Sequence, residues 1–175
     1  VGSVVYPACE IVKPGTIKHI AGNRFSLGEP EGSESDRLKF ISDILKRAGF
    51  RAPIQKNIRD EIWLKLIGNL SFNPISALTG ATLEQICNDQ GTEAIVRAMM
   101  TEAKIIAEEL GAKINMSIEK RIDGARKVGA HKTSMLQDIE AGKPIEIDSI
   151  IIAVKELGAL TCTPTPYIDT ILNLT

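Results

Sequence analysis

From Ser33 to the last residue, apolar side chains return every three or four positions, and the periodic stretches are punctuated by glycine, proline and hydroxyl residues. Such spacing turns one face of a helix inward and leaves little room for strands. Leu38, Ile41, Ile44, Leu45 and Ala48 form the first such stretch, with Ser33 as the expected cap and Gly49 as its stop. Ile95, Val96, Met99, Ala103, Ile106 and Leu110 form the longest, over 93–110, ended by Gly111. Between them a helix is expected from about Ile58 to Asn73, kinked or interrupted by Pro74. Thr82 and Gln85 have the spacing of a capping box. Further helices are expected over 117–128, 133–141 and 148–157, with a last one opening at Pro166. The body of the chain therefore reads as all-α, roughly seven or eight helices.

The first 32 residues read differently. Three β-rich runs, 4–12, 16–20 and 24–27, are separated by Lys13-Pro14-Gly15 and Ala21-Gly22-Asn23, the pattern of an antiparallel meander. Three short strands cannot bury both faces by themselves, so they are expected to complete the edge of a larger sheet lying upstream. Val1 opens the chain without Met and inside an apolar run, which reads as the continuation of a preceding segment. The turn-rich stretch 28–33 marks the expected division into a β-rich part, 1–32, and a helical domain, 33–175.

Composition narrows the partners. With 21 basic and 22 acidic residues, and no run of five or more like charges, a nucleic-acid or membrane surface is disfavoured. Apolar runs such as 147–154 are far shorter than a membrane span, and no signal peptide is expected. Cys9, Cys87 and Cys162 are unpaired by spacing and read as reduced core thiols of a cytoplasmic protein. With His19 and His131 as the two imidazoles, no metal site is expected.

Chemistry concentrates in two places. Lys65, Asn69 and Asn73 are spaced by four, within about an 80° arc and over about 12 Å of helix. Their neighbours Leu64, Leu66, Ile67, Leu70 and Phe72 are apolar. A polar stripe on such a helix either meets a ligand bearing a carboxylate and a keto oxygen, or is relieved by Lys65 snorkelling and the amides bonding to loops. In the second place, 133–148, Ser134 heads a short helix, where it could meet an anion, or where it or Thr133 could serve as an N-cap. Glu146, between Ile145 and Ile147, is either a water-facing strand residue or a functional carboxylate.

The run from Trp63 to Gly80, Trp-Leu-Lys-Leu-Ile-Gly-Asn-Leu-Ser-Phe-Asn-Pro-Ile-Ser-Ala-Leu-Thr-Gly, resembles the signature helix of the ketopantoate reductases. So does Ser134 to Asp148, Ser-Met-Leu-Gln-Asp-Ile-Glu-Ala-Gly-Lys-Pro-Ile-Glu-Ile-Asp, and the opening strands are similar to the end of that family's cofactor domain. The resemblance implies a mainly α C-terminal helical bundle of the 6-phosphogluconate-dehydrogenase-like type, preceded by an antiparallel remnant of a Rossmann domain. It implies NADPH-dependent reduction of 2-dehydropantoate to pantoate in pantothenate and coenzyme A biosynthesis. Lys65 falls on the catalytic lysine, Asn69, Asn73 and Ser134 on substrate-binding residues, and Glu146 on an acidic residue that acts in catalysis or on the cofactor. A further asparagine of some members has no counterpart here, since Leu83 stands near that position. That leaves open the reduction of another branched 2-keto acid. A non-catalytic helical dimerisation module is the rival from another class, and the many apolar faces are compatible with a homodimer. No Gly-x-Gly-x-x-Gly loop follows a strand in these residues, so the chain by itself is expected not to turn over.

Overall fold

The computed structural model describes all 175 residues, which form two compact units, Val1–Ile62 and Trp63–Thr175. In the first unit β1 (Gly2–Val5) pairs antiparallel with β4 (Phe25–Gly28), and β2 (Ala8–Lys13) pairs antiparallel with β3 (Thr16–Ala21). The strands are antiparallel as expected, but their order is nested. The expected first run, 4–12, breaks at Pro7, which has no N–H to carry a ladder through. The second half of that run then folds into a hairpin with β3, turning at Gly15 with φ +78°. Ile11, Ile17 and Ile20 of this hairpin are exposed.

The chain after the strands packs back on β4. α1 (Asp36–Arg47) starts two residues later than the Ser33 cap anticipated, because Ser35 supplies the oxygen that accepts from Leu38 N. Its Leu38 joins Leu27 of β4 and Ala52 in a small core, flanked by Ile41, Leu45 and Ile54. The extended segment 51–54 makes isolated parallel bridges at Arg24↔Arg51, just before β4, and at Leu27↔Ile54 on it. Composition changes from strand to helix near residue 32, whereas packing draws its line at Ile62, because α1 and the 51–54 segment bury their apolar side against β4.

α2 (Ile58–Thr79) opens in the first unit and runs on into the second. It is continuous through Pro74, so of the kink or interruption expected there the interruption does not occur. An interior proline costs about 3 kcal/mol. Leu70, Phe72 and Ile75 are buried around it, and each buried side chain of that size stabilises by roughly 1.5–3 kcal/mol. Packing therefore outweighs the lost hydrogen bond.

Beyond α2 lie α3 (Leu83–Asn88), α4 (Gln90–Glu109), α5 (Ile118–Val128) and α6 (Ser134–Glu140), then α7 (Ala153–Leu160) and α8 (Pro166–Leu174). Thr82 and Gln85 form the capping box that their spacing predicts. α4 begins three residues earlier than expected, since Asp89 accepts from Thr92 N at 2.8 Å. It is the central element, with Val96, Met99, Met100, Ala103, Ile106 and Ala107 all fully buried in one core with Trp63, Ile67 and Leu70 of α2. The turn that leads into α7, Asp148–Ile152, is π-helical. No helix is long and apolar enough to cross a membrane. Of the three cysteines expected in the core, Cys87 alone is buried; Cys9 and Cys162 are exposed, on the bare hairpin and in the turn after α7.

Candidate active site

A cleft of about 460 Å³ opens in the helical unit, with the polar stripe of α2 forming one wall. Lys65, Asn69 and Asn73 all line it, and Ser134 faces it from the start of α6. Four of the five residues singled out in the sequence therefore meet around one space. The fifth, Glu146, is exposed in the turn before the π-helical segment and is not part of the lining, although its charge reaches Lys65.

Local capping decides what Ser134 offers. Thr133, buried, takes the capping position, its hydroxyl accepting from Leu136 N at 3.3 Å. Ser134 thus sits one residue inside the helix, with an exposed side chain at the cleft. On α2 the stripe is graded in depth, from half-buried Lys65 and Asn69 to Asn73, which retains 5 % of its surface. Burial pulls the Lys65 ammonium below its ordinary range, and the negative charge of Glu146 works in the opposite direction. A lysine whose charged form is disfavoured gives up its proton more readily than one in water.

No carboxylate lines the cleft, whereas Lys65 and Arg121 both do. An acid-free space with two cations, two amides and a hydroxyl is suited to an anion that also carries hydrogen-bonding oxygens. Arg121, His131 and Leu83 were not singled out as site residues by their sequence context. The available signal lay in α5, where Gly124, Ala125 and Val128 follow Arg121 at helical spacing and leave one face slender enough to border a cleft. Leu83, at the start of α3, gives the wall an apolar patch near where an asparagine was sought.

The family described as "Ketopantoate reductase PanE/ApbA C terminal" matches residues 57–175, all of the helical unit and the start of α2. The chain belongs to the ketopantoate reductase family. A 2-dehydropantoate 2-reductase of Mesorhizobium japonicum is 55 % identical over 174 residues, covering 99 % of this chain and 53 % of that protein. A Ralstonia solanacearum MolK2 crystal structure with a provisional ketopantoate reductase assignment superposes with a TM-score of 0.93 at 45 % identity, over 99 % of this chain and 53 % of that one. The 2-dehydropantoate 2-reductase of Methylococcus capsulatus gives 0.91 at 32 % identity, over 98 % and 56 %. The chain spans about half the length of the curated relatives it matches. The mainly α architecture expected of the family's C-terminal domain is the one observed.

Proposed function

We propose that this chain supplies the substrate-binding and proton-donating half of an NADPH-dependent 2-dehydropantoate 2-reductase, forming pantoate for pantothenate and coenzyme A biosynthesis in the cytoplasm. The observation that carries this reading is the convergence of Lys65, Asn69, Asn73 and Ser134 on one acid-free cleft. NADPH, when bound to the reductase, supplies the hydride to the C2 carbonyl. Lys65 holds the carbonyl oxygen and gives it a proton as negative charge develops there, the one group of the stripe able to do both. Asn69, Asn73 and Ser134 fix the carboxylate and the hydroxyl end, so that the carbonyl keeps one orientation.

Toward the cofactor the chain offers little. The exposed carboxylate of Glu146 suits a hydroxyl donor and not a phosphate, and no glycine-rich phosphate loop occurs in these residues. Glu146 is therefore assigned to a cofactor or substrate hydroxyl, or to tuning Lys65. A homodimer is part of the same proposal, to be read from the mass in solution.

A second reading, reduction of another branched 2-keto acid, is favoured by Leu83, which presents hydrocarbon where a hydroxyl-bearing substrate would need a partner. NADPH oxidation by the full-length protein, across 2-dehydropantoate and branched 2-keto acids lacking its hydroxyl, separates the two. Lys65→Ala should lower the rate with the preferred substrate by at least about a hundredfold. An unchanged rate would mean that the domain is a non-catalytic helical module.

A further inference from the structure

We infer that Arg121 is the anchor for the carboxylate of the 2-keto acid, and that residue 68 is a glycine so that the guanidinium can lie against α2 beside Lys65 and Asn69. The inference rests on the reductase reading above and adds to it the residue that recognises the substrate's fixed charge.

Gly68 lies between Lys65 and Asn69 in sequence and, like them, lines the cleft. A Cβ built on it would stand 2.1 Å from Nη2 of Arg121 and 2.9 Å from its Cζ, far inside van der Waals contact. A glycine in the middle of a helix costs roughly 1 kcal/mol relative to alanine. The chain carries that cost at the one place on α2 where the guanidinium is laid. The three heavy atoms nearest that Cβ, at 2.1, 2.9 and 2.9 Å, all belong to the Arg121 guanidinium.

Arg121 comes from α5, and Gly124, Ala125 and Val128 continue the same face along the cleft. Small side chains at 124 and 125 leave the guanidinium as the main projection from that wall. Its planar fork can donate two parallel hydrogen bonds to a carboxylate, which an ammonium cannot do. With Arg121 on the carboxylate, Lys65 is left to the keto oxygen and the two asparagines to the far end of the substrate. An anchor of this kind holds substrate and transition state alike, so its loss should appear in KM and not in kcat.

Steady-state kinetics of the full-length reductase, varying the 2-keto acid at saturating NADPH and then NADPH at saturating keto acid, test this directly. Arg121→Gln should raise KM for the keto acid by about tenfold or more, the scale of a hydrogen bond to a charged group, with KM for NADPH and kcat little changed. Arg121→Lys should fall between it and the wild type. Gly68→Ala should raise the same KM by pushing the guanidinium off α2, while the midpoint of thermal unfolding holds or rises because alanine is the better helix former. If Arg121→Gln does not fold, the lysine and Gly68→Ala variants carry the test. An unchanged KM for the keto acid in an active enzyme overturns the inference and leaves the reductase reading standing. A rise confined to KM for NADPH overturns it too, by assigning the anion to a cofactor phosphate. A wild-type enzyme that turns over no 2-keto acid removes the reductase reading and this inference together.

Discussion

The Glu146 carboxylate opposes the effect of burial on the Lys65 ammonium, and burial wins: the net displacement of the lysine is downward. Replacing Glu146 by glutamine removes the opposing charge, so the lysine should lose its proton at still lower pH. As the donor, Lys65 must be protonated, and the rate falls as pH rises through its pKa. The alkaline limb of kcat/KM in the full-length enzyme should therefore move to lower pH in Glu146→Gln. A limb that stays in place, or moves to higher pH, would show that Glu146 does not tune the lysine.

A second acid–base pair governs the first unit. Glu29 has no exposed surface, and its carboxyl is held down to about 2, first by hydrogen bonds from Arg37 at 2.7 and 2.8 Å and then by Ser35. A carboxylate with a depressed folded pKa contributes stability above the unfolded value, about 4.3, and loses it as pH falls through the folded one. The unit should thus weaken between about pH 4 and pH 2, where Glu29 takes up its proton. Arg37→Gln should flatten that dependence. Urea titrations of both proteins at pH 7 and pH 3, followed by a probe on α1, check it: equal losses of stability on acidification would exclude Glu29 as the cause.

What was legible in the sequence was local. The capping box at Thr82 and Gln85, the stops at Gly49 and Gly111 and the four-residue spacing of Lys65, Asn69 and Asn73 each depend on neighbours within one or two helical turns. What stayed hidden depends on residues distant in sequence. Pro74 signals a break unless one knows that Leu70, Phe72 and Ile75 are buried on all sides. The pairing of β1 with β4 skips over a whole hairpin. Arg121 is one of many surface-type charges until α5 brings it against Gly68, more than fifty residues earlier in the chain.

Leu83 makes the choice of substrate testable by one substitution. Leu83→Asn places an amide in the cleft wall where the second reading relies on hydrocarbon. A site that hydrogen-bonds a substrate hydroxyl discriminates against the analogue lacking it, because the amide is then left unpaired. The ratio of kcat/KM for 2-dehydropantoate to that for a branched 2-keto acid without the hydroxyl should rise by about tenfold. An unchanged ratio would mean that the substrate's far end does not reach this wall.

The last helix is held by a carboxylate from elsewhere in the fold. Glu102 of α4 keeps 8 % of its surface, and its two oxygens accept from Tyr167 N at 2.9 Å and Ile168 N at 3.0 Å, in the first turn of α8. Thr165, at the capping position, makes no side-chain cap. The carboxylate therefore does the work of an N-cap and also faces the positive end of the helix dipole. Glu102→Ala leaves two N–H groups unpaired under the edge of the core, and should destabilise the helical unit by about 1–3 kcal/mol. Glu102→Gln, whose single carbonyl oxygen can accept from one of them, should lose less. Chemical denaturation of the three proteins, at equal slopes, gives the comparison. If Ala and Gln were equally harmful, charge at the helix end would be the cause; if neither were harmful, α8 would be secured by the burial of Ile168 and Ile171 alone.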